Sequence, residues 1–264
     1  MAQSGSLRSW IEALPEQGRY VFTRAEAGAV ADGTDSATKM ALYRLKRAGA
    51  IVSPRRDFFV LVPREYRSAG APPATWFIDD LMRHLGRRYC VALLSAAALH
   101  GAGHQRPMAF QVITDAAERD IEVGRVRIDF HVSRRCAGAA TQAMQTETGA
   151  MVVATPETTV FDLVRFPQAA GSWGNVATVI AELADVLRPE ALAAGATRVA
   201  RTDVQRLGWL LDFVGRPRLG DALAATLGGH RLSTTPLTPK RDAAGAALDR
   251  RWQVLVNDDV EPDL

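Results

Sequence analysis

Phe22-Thr23-Arg24-Ala25-Glu26, the turn Asp32-Gly33-Thr34-Asp35, the run Ser36-Ala37-Thr38-Lys39-Met40-Ala41-Leu42-Tyr43-Arg44-Leu45-Lys46-Arg47-Ala48-Gly49 and the segment Ile51-Val52-Ser53-Pro54-Arg55-Arg56-Asp57-Phe58-Phe59-Val60-Leu61-Val62-Pro63 decide how this chain is read. Thr23 is a good N-cap, and Glu26 three residues on completes a capping box, so a helix opens at Phe22-Thr23. After the turn, Asp35 or Ser36 caps a second helix. On that helix Ala41, Leu42, Leu45 and Ala48 recur at the spacing of an inner face, and Lys39, Tyr43, Lys46 and Arg47 fall on the outer one. Gly49 sits where a helix stops in a left-handed residue. Two β-rich runs follow, joined by Ser53-Pro54-Arg55-Arg56-Asp57, so Arg55 and Arg56 are expected to project from a hairpin tip. Helix, turn, helix, hairpin is the order of a winged helix-turn-helix. A further helix precedes it, with Leu7, Trp10, Ile11 and Leu14 on one face and Pro15 and Gly18 at its end.

Such a module meets DNA by placing cations near phosphates and hydrogen-bonding side chains at base edges. Ser36, Thr38, Lys39, Arg44, Lys46 and Arg47 supply both kinds, and Arg55 and Arg56 would reach a neighbouring groove or backbone. Tyr43 either meets the nucleic-acid backbone or packs at the rim of the helix. The charge distribution agrees. Of 32 Lys/Arg and 29 Asp/Glu in the chain, eleven and seven lie in residues 1–70, leaving 21 and 22 for the rest. A basic head on a near-neutral body suits DNA binding. The competing reading is a small winged module whose charges are merely solvated and which makes protein contacts.

The 264 residues are 47% hydrophobic and 23% charged, enough apolar material for a packed core. Arg67 to Thr75, with Ser68, Gly70, Pro72 and Pro73, reads as a linker. The expected organisation is α+β: a winged helix-turn-helix over 1–66, a linker over 67–75, and a larger mixed α/β domain over 76–264. Helical spacing is present over Trp76–Leu85, Val91–His100, Pro156–Pro167, Val176–Leu187, Pro189–Ala194, Asp203–Val214 and Leu219–Leu227. Strands are expected at Phe110–Thr114, Ile121–Val123 and Val126–Phe130 (a hairpin through Gly124-Arg125), Met151–Ala154, Arg231–Ser233 and Arg250–Val256.

No catalytic set emerges from this larger part. His100 and His104 have the spacing of a zinc pair, but the glycines between them break a continuous helix and no Glu follows His100. His100 is better read as a residue at a helix end. Ser95 lacks the Gly-x-Ser-x-Gly setting of a nucleophile. Gly101-Ala102-Gly103 lacks the third glycine of a dinucleotide fingerprint, and Asp129 has no paired carboxylate. Glu157 is accounted for by the helix start at Thr155-Pro156, and Asp162 and Arg165 read as a surface pair. Cys90 and Cys136 make neither a disulfide framework nor a zinc site and are expected reduced near the core. No leader or membrane span is expected, which implies a cytoplasmic protein, and with no catalytic or ligand set in view no enzymatic activity, cofactor or metal is expected.

Two groups of residues together resemble one family. Tyr20-Val21-Phe22-Thr23 with Leu42–Ile51 is similar to the winged helix of AbiEi-type antitoxins of type IV toxin–antitoxin systems. Tyr89–Ala102, Pro107 with Phe110–Thr114, Ala154–Leu163, Asn175–Val179 and Val204–Asp212 resemble the remainder of such proteins. The resemblance implies a repressor of its own operon, binding inverted repeats in double-stranded DNA at its own promoter, as a monomer in solution or a dimer on DNA. It implies a second partner, a nucleotidyltransferase-type toxin, counteracted with or without a stable complex. By position it places operator contacts on Ser36, Thr38, Lys39, Tyr43, Arg44 and Arg47. A different class stays open beside it: a ligand-responsive transcriptional regulator whose C-terminal domain senses a small molecule in an apolar pocket with converging polar groups.

Overall fold

In the N-terminal quarter, local chemistry sets the elements. The chain is described here by a computed structural model covering residues 7–31, 33–102, 107–228 and 231–262. Helix α1 (Leu7–Ala13) buries Leu7 and Ile11 and is closed by a short 3-10 turn ending at Gly18. Strand β1 (Val21–Thr23) was not expected, because its last residue is also the N-cap of α2 (Arg24–Val30). The capping box is present there: Thr23 Oγ1 accepts from the Glu26 N–H, and Glu26 Oε2 accepts from the Thr23 N–H at 2.7 Å. Helix α3 (Asp35–Arg47) is capped by Thr34, whose hydroxyl accepts from the Ala37 N–H, one or two residues earlier than the sequence suggested. Its other end is a Schellman turn: Gly49, at φ 65°, donates to Lys46 O, and Ala50 donates to Leu45 O. Strands β2 (Ile51–Arg55) and β3 (Phe58–Leu61) form the hairpin, and β1 pairs antiparallel with β3 to give the order β1-β3-β2.

Only Arg56 and Asp57 form the hairpin turn, with Asp57 left-handed at φ 58°. β2 therefore runs on through Arg55, one reason Arg55 does not project from the tip.

The larger part begins with α4 (Ile78–Leu85), β4 (Tyr89–Val91) and α5 (Leu93–Leu99). It continues through β5 (Phe110–Thr114), β6 (Ile121–Val123), β7 (Val126–Val132), β8 (Thr141–Thr146) and β9 (Gly149–Ala154). These strands form one mixed six-stranded sheet in the order β6-β7-β5-β4-β9-β8. β4, central and only three residues long, was not expected and takes Val91 from the start of the run read as helix; β8 is a polar edge strand. Helices α6 (Pro156–Arg165), α7 (Trp173–Leu183), α8 (Pro189–Ala196), α9 (Arg201–Phe213) and α10 (Pro217–Leu227) follow, with α5 and α6 packed against the sheet and α9 against α6 and α7.

A three-stranded sheet of β10 (Thr235–Pro236), β11 (Ala247–Asp249) and β12 (Val254–Val256) closes the described chain. The strands expected at 231–233 and 250–253 do not form. Asp249 Oδ1 accepts from the Trp252 N–H at 2.8 Å, curling the backbone, and Gln253 takes φ 54°. The turn carries the Trp252 ring onto Gly208 of α9, where a Cβ would lie 2.2 Å from the ring.

The head and the larger part share one core. Phe58 and Val60 of β3 belong to the same buried cluster as the six-stranded sheet, each contributing about 1.5–3 kcal/mol by leaving water. Trp76 stacks edge-on against both Tyr20 (4.7 Å between centroids) and Tyr66 (5.1 Å). Residues 67–75 are not an open tether: Ala71 and Ala74 are buried, and Ala69 O accepts from the Arg125 N–H at 2.7 Å. Gly70 and Gly124 let these backbones touch. A Cβ on Gly124, at φ 56°, would stand 2.3 Å from Ala69 O. Gly124→Ala is expected to destabilise the protein by about 3 kcal/mol, overlap adding to left-handed strain. Gly49→Ala, left-handed but with open space around it, should cost about 1 kcal/mol. Urea denaturation measures both, and equal losses would show that the 67–75 segment is not seated on the β6–β7 hairpin.

Candidate nucleic-acid interface

Helix α3 turns two opposed faces outward and inward. Thr38 and Leu42 are buried, with Ala41 and Leu45 half-buried beside them, a 38/41/42/45 stripe that seats the helix on the head's own small core. Thr38 was expected to face DNA. It is 3% exposed, and its hydroxyl donates to Thr34 O at 3.4 Å, so it is a packing residue. Ala48, expected inside, is exposed because the helix ends at Arg47 and the Schellman turn swings it out.

The opposite stripe is Ser36, Met40, Tyr43 and Arg47, spaced by four, three and four and all exposed. Lys39 and Lys46 flank it on one side and Arg44 on the other. Met40 is 50% exposed and Tyr43 54% exposed. Sequence reasoning passed over Met40, since methionine on a helix ordinarily fills a core. Its signal was available in the spacing, one turn after Ser36 and one before Tyr43. An apolar side chain among cations suits contact with a thymine methyl, and Tyr43 has both a ring and a hydroxyl to offer a nucleic-acid backbone.

The cations differ in how far they are committed. Arg24 of α2 holds Asp35 at 2.5 Å and Asp57 at 3.6 Å, and Lys39 Nζ lies 3.3 Å from the other Asp35 oxygen. The hydrogen bond to Asp35 raises the Arg24 pKa, and the same bond, with Lys39 beside it, lowers that of Asp35. The Asp35 charge thus offsets part of Lys39. Arg44, Lys46 and Arg47 form no ion pair among the described residues and keep their full charge for a partner.

Arg55 and Arg56 part company. Arg56, its side chain 92% exposed, extends from the turn with Asp57 3.4 Å away. Arg55 turns back onto the larger domain, where it donates to Arg119 O and lies 5.8 Å over the Phe130 ring. Burial lowers its pKa, yet the group stays charged. The expectation that both arginines project is therefore corrected for Arg55. His84 of α4, 3.1 Å from Arg56 O and 5.3 Å from the Phe58 ring, holds the hairpin from the other side.

In the larger part, several residues set aside by sequence sit in contacts within the fold. His100 Nε2 lies 2.7 Å from Ala154 O, joining the end of α5 to β9; His104 lies outside the described residues. Ser95 is buried and accepts from the Gln111 N–H at 2.9 Å. Cys90 and Cys136 are both free and buried, and Asp129 accepts from Arg127 at 2.7 Å. Among the described residues there is no cluster of three or more His, Cys, Asp or Glu placed to hold a metal, and no helix long and apolar enough to cross a membrane.

Alongside this geometry, comparison with known proteins finds a family likeness in the larger part. Residues 89–213 match the family model of the AbiEi antitoxin C-terminal domain. The matched stretch begins at β4 and ends with α9. The structure as a whole is similar to the crystal structure of the RV2827C protein from Mycobacterium tuberculosis, with a TM-score of 0.68 over 93% of this chain and 89% of that one at 18% identity. At that identity the likeness concerns the fold. A search of curated proteins gives no match.

Arg55→Ala is expected to lower stability by about 1–2 kcal/mol through loss of the Phe130 contact and the Arg119 bond. Arg56→Ala should leave stability within about 0.5 kcal/mol. Thermal melts of the two variants check this, and the reverse ranking would mean that Arg55 is not seated on the larger domain.

Proposed function

We propose that the protein is a DNA-binding antitoxin whose N-terminal part acts as a winged helix, with α3 as the recognition helix and β2–β3 as the wing. It represses its own operon by binding inverted repeats at its promoter, in the cytoplasm, as a monomer in solution or a dimer on DNA. The AbiEi-type domain counteracts a nucleotidyltransferase toxin, and no enzymatic step of its own enters this reading. The observation that carries it is the exposed stripe Ser36, Met40, Tyr43 and Arg47, flanked by Lys39, Lys46 and Arg44, on a helix whose other face is buried. Ser36 and Tyr43 offer hydrogen bonds to bases or backbone; Lys39, Arg44, Lys46, Arg47 and Arg56 offer charge to phosphates. An antitoxin domain joined rigidly to such a helix supports coupling repression to neutralisation.

Fluorescence anisotropy on duplex DNA from upstream of the gene tests the first half. Affinity should fall with salt, and Arg44→Ala with Arg47→Ala should reduce the slope of log K against log salt by about 2. Unchanged binding in the double variant would overturn the assignment of α3. Co-expression with the toxin encoded by the adjacent gene tests the second half. The same double variant is expected to restore growth as well as the parent chain while no longer repressing a promoter reporter. Loss of rescue with normal expression would place neutralisation on the DNA-binding face instead.

A further inference from the structure

A cavity of about 200 Å³ opens on the larger domain, away from α3, between α6, α8 and the turn after β7. One water fills roughly 10–15 Å³ on this measure, so the space exceeds a bare inorganic ion. One wall is apolar, built from Phe161 and the small residues of α8; Gly195 of α8 lies so close that a Cβ there would stand 2.9 Å from the Phe161 ring. The other wall carries four guanidinium groups, from Arg135, Arg165, Arg188 and Arg198, against two carboxylates, Glu157 and Asp162.

Each arginine has a protein acceptor within reach. Arg135 reaches Asp203 Oδ2 at 3.4 Å and Arg165 the same oxygen at 4.0 Å. Arg188 lies 3.4 Å from Glu157 Oε1, and Arg198 donates to Gly138 O at 3.0 Å. The carboxylate contacts are all longer than the 2.7–2.9 Å of a strong charge-assisted bond. A guanidinium has five N–H donors, so these contacts leave capacity for an incoming anion. Asp203 does not cancel the excess, because Arg206 also lies 3.4 Å from it.

By sequence, Glu157 has a helix-start role alone, and Asp162 with Arg165 reads as a surface pair. Glu157 is 4% exposed and accepts from the Arg188 N–H, tying α6 to α8. Asp162 is half-buried in the cavity wall, and Arg165 pairs with Asp203.

We infer that this cavity binds a small organic phosphate monoester, its phosphate held by Arg135, Arg165 and Arg188 and its apolar body laid against Phe161. The inference is independent of DNA binding by α3. A guanidinium pairs two-pronged with either a carboxylate or a phosphate, but three of them around one cavity match the three oxygens and greater charge of a phosphate monoester rather than a single carboxylate. Asp162 tunes the site: burial, reinforced by Asp203 and opposed by Arg165 and Arg135, pushes its pKa up to about 7. Protonated, it can donate to a phosphate oxygen; ionised, it repels one.

Isothermal titration of the full chain with phenyl phosphate, inorganic phosphate and benzoate tests this. Phenyl phosphate is expected to bind more tightly than either of the others. Arg165→Ala should weaken it about tenfold or more, as should Arg188→Ala, a more exposed position that leaves the Asp203 network in place if the first variant folds poorly. At pH 8, Asp162→Asn should instead strengthen binding, a gain that a merely structural role would not produce. No heat with phenyl phosphate, equal binding of benzoate, or unchanged affinity in folded Arg188→Ala would each overturn the inference.

Discussion

The structure depends on where the β2–β3 hairpin buries its apolar side. In an isolated head of this size, Phe58 and Val60 would cover that head's own small core. Here they enter the core of the six-stranded sheet, while Phe22, Leu42 and Ile51 hold the head together. Tyr20, Tyr66 and Trp76 continue the seam, and the touching backbones of Gly70 and Gly124 close it. This shared packing sets how α3 is placed relative to the larger part, so both ends of the chain are built on one frame.

That constraint also divides the basic residues. A charge near the seam is drawn into it, as Arg55 is by Arg119 O and Phe130. A charge beside an acidic helix start is partly neutralised, as Lys39 is by Asp35. The cations furthest from both, Arg44, Lys46 and Arg47, keep their charge and cluster in the last turn of α3, where they also complement the helix dipole. The arginines of the larger domain follow the same logic. Asp203 and Glu157 hold them in place without saturating them, so the wall of the cavity stays electropositive while remaining ordered.

Much of this was legible from residues alone where the signal is local. The Thr23–Glu26 capping box, the stop at Gly49, the Thr155-Pro156 helix start and the Gly124-Arg125 hairpin each need only neighbours within a few positions, and each is present. What failed did so where partners are distant. β4 is three residues inside an apolar run, and only its neighbours β5 and β9 make it a strand. The strand expected at 250–253 gives way because Trp252 is drawn onto Gly208. Thr38 looked like a DNA contact because threonine is polar, and Met40 was assigned to neither face. The register of the helix on its core buries the first and exposes the second.

The sequence by itself determined the helices and hairpin of the head in their order, though not β1, together with the family resemblance of the larger part and most of the outer face of α3, because capping, periodicity and charge act over one or two turns. Only the tertiary structure decided that the head is docked rather than tethered, that Arg55 is spent on that docking, and that Arg135, Arg165, Arg188 and Arg198 meet around one cavity. Arg135 lies in the turn after β7, Arg165 at the end of α6, and Arg188 and Arg198 just before and just after α8, far apart in the chain. What brings them together is the burial of apolar faces across that distance, which no local pattern records.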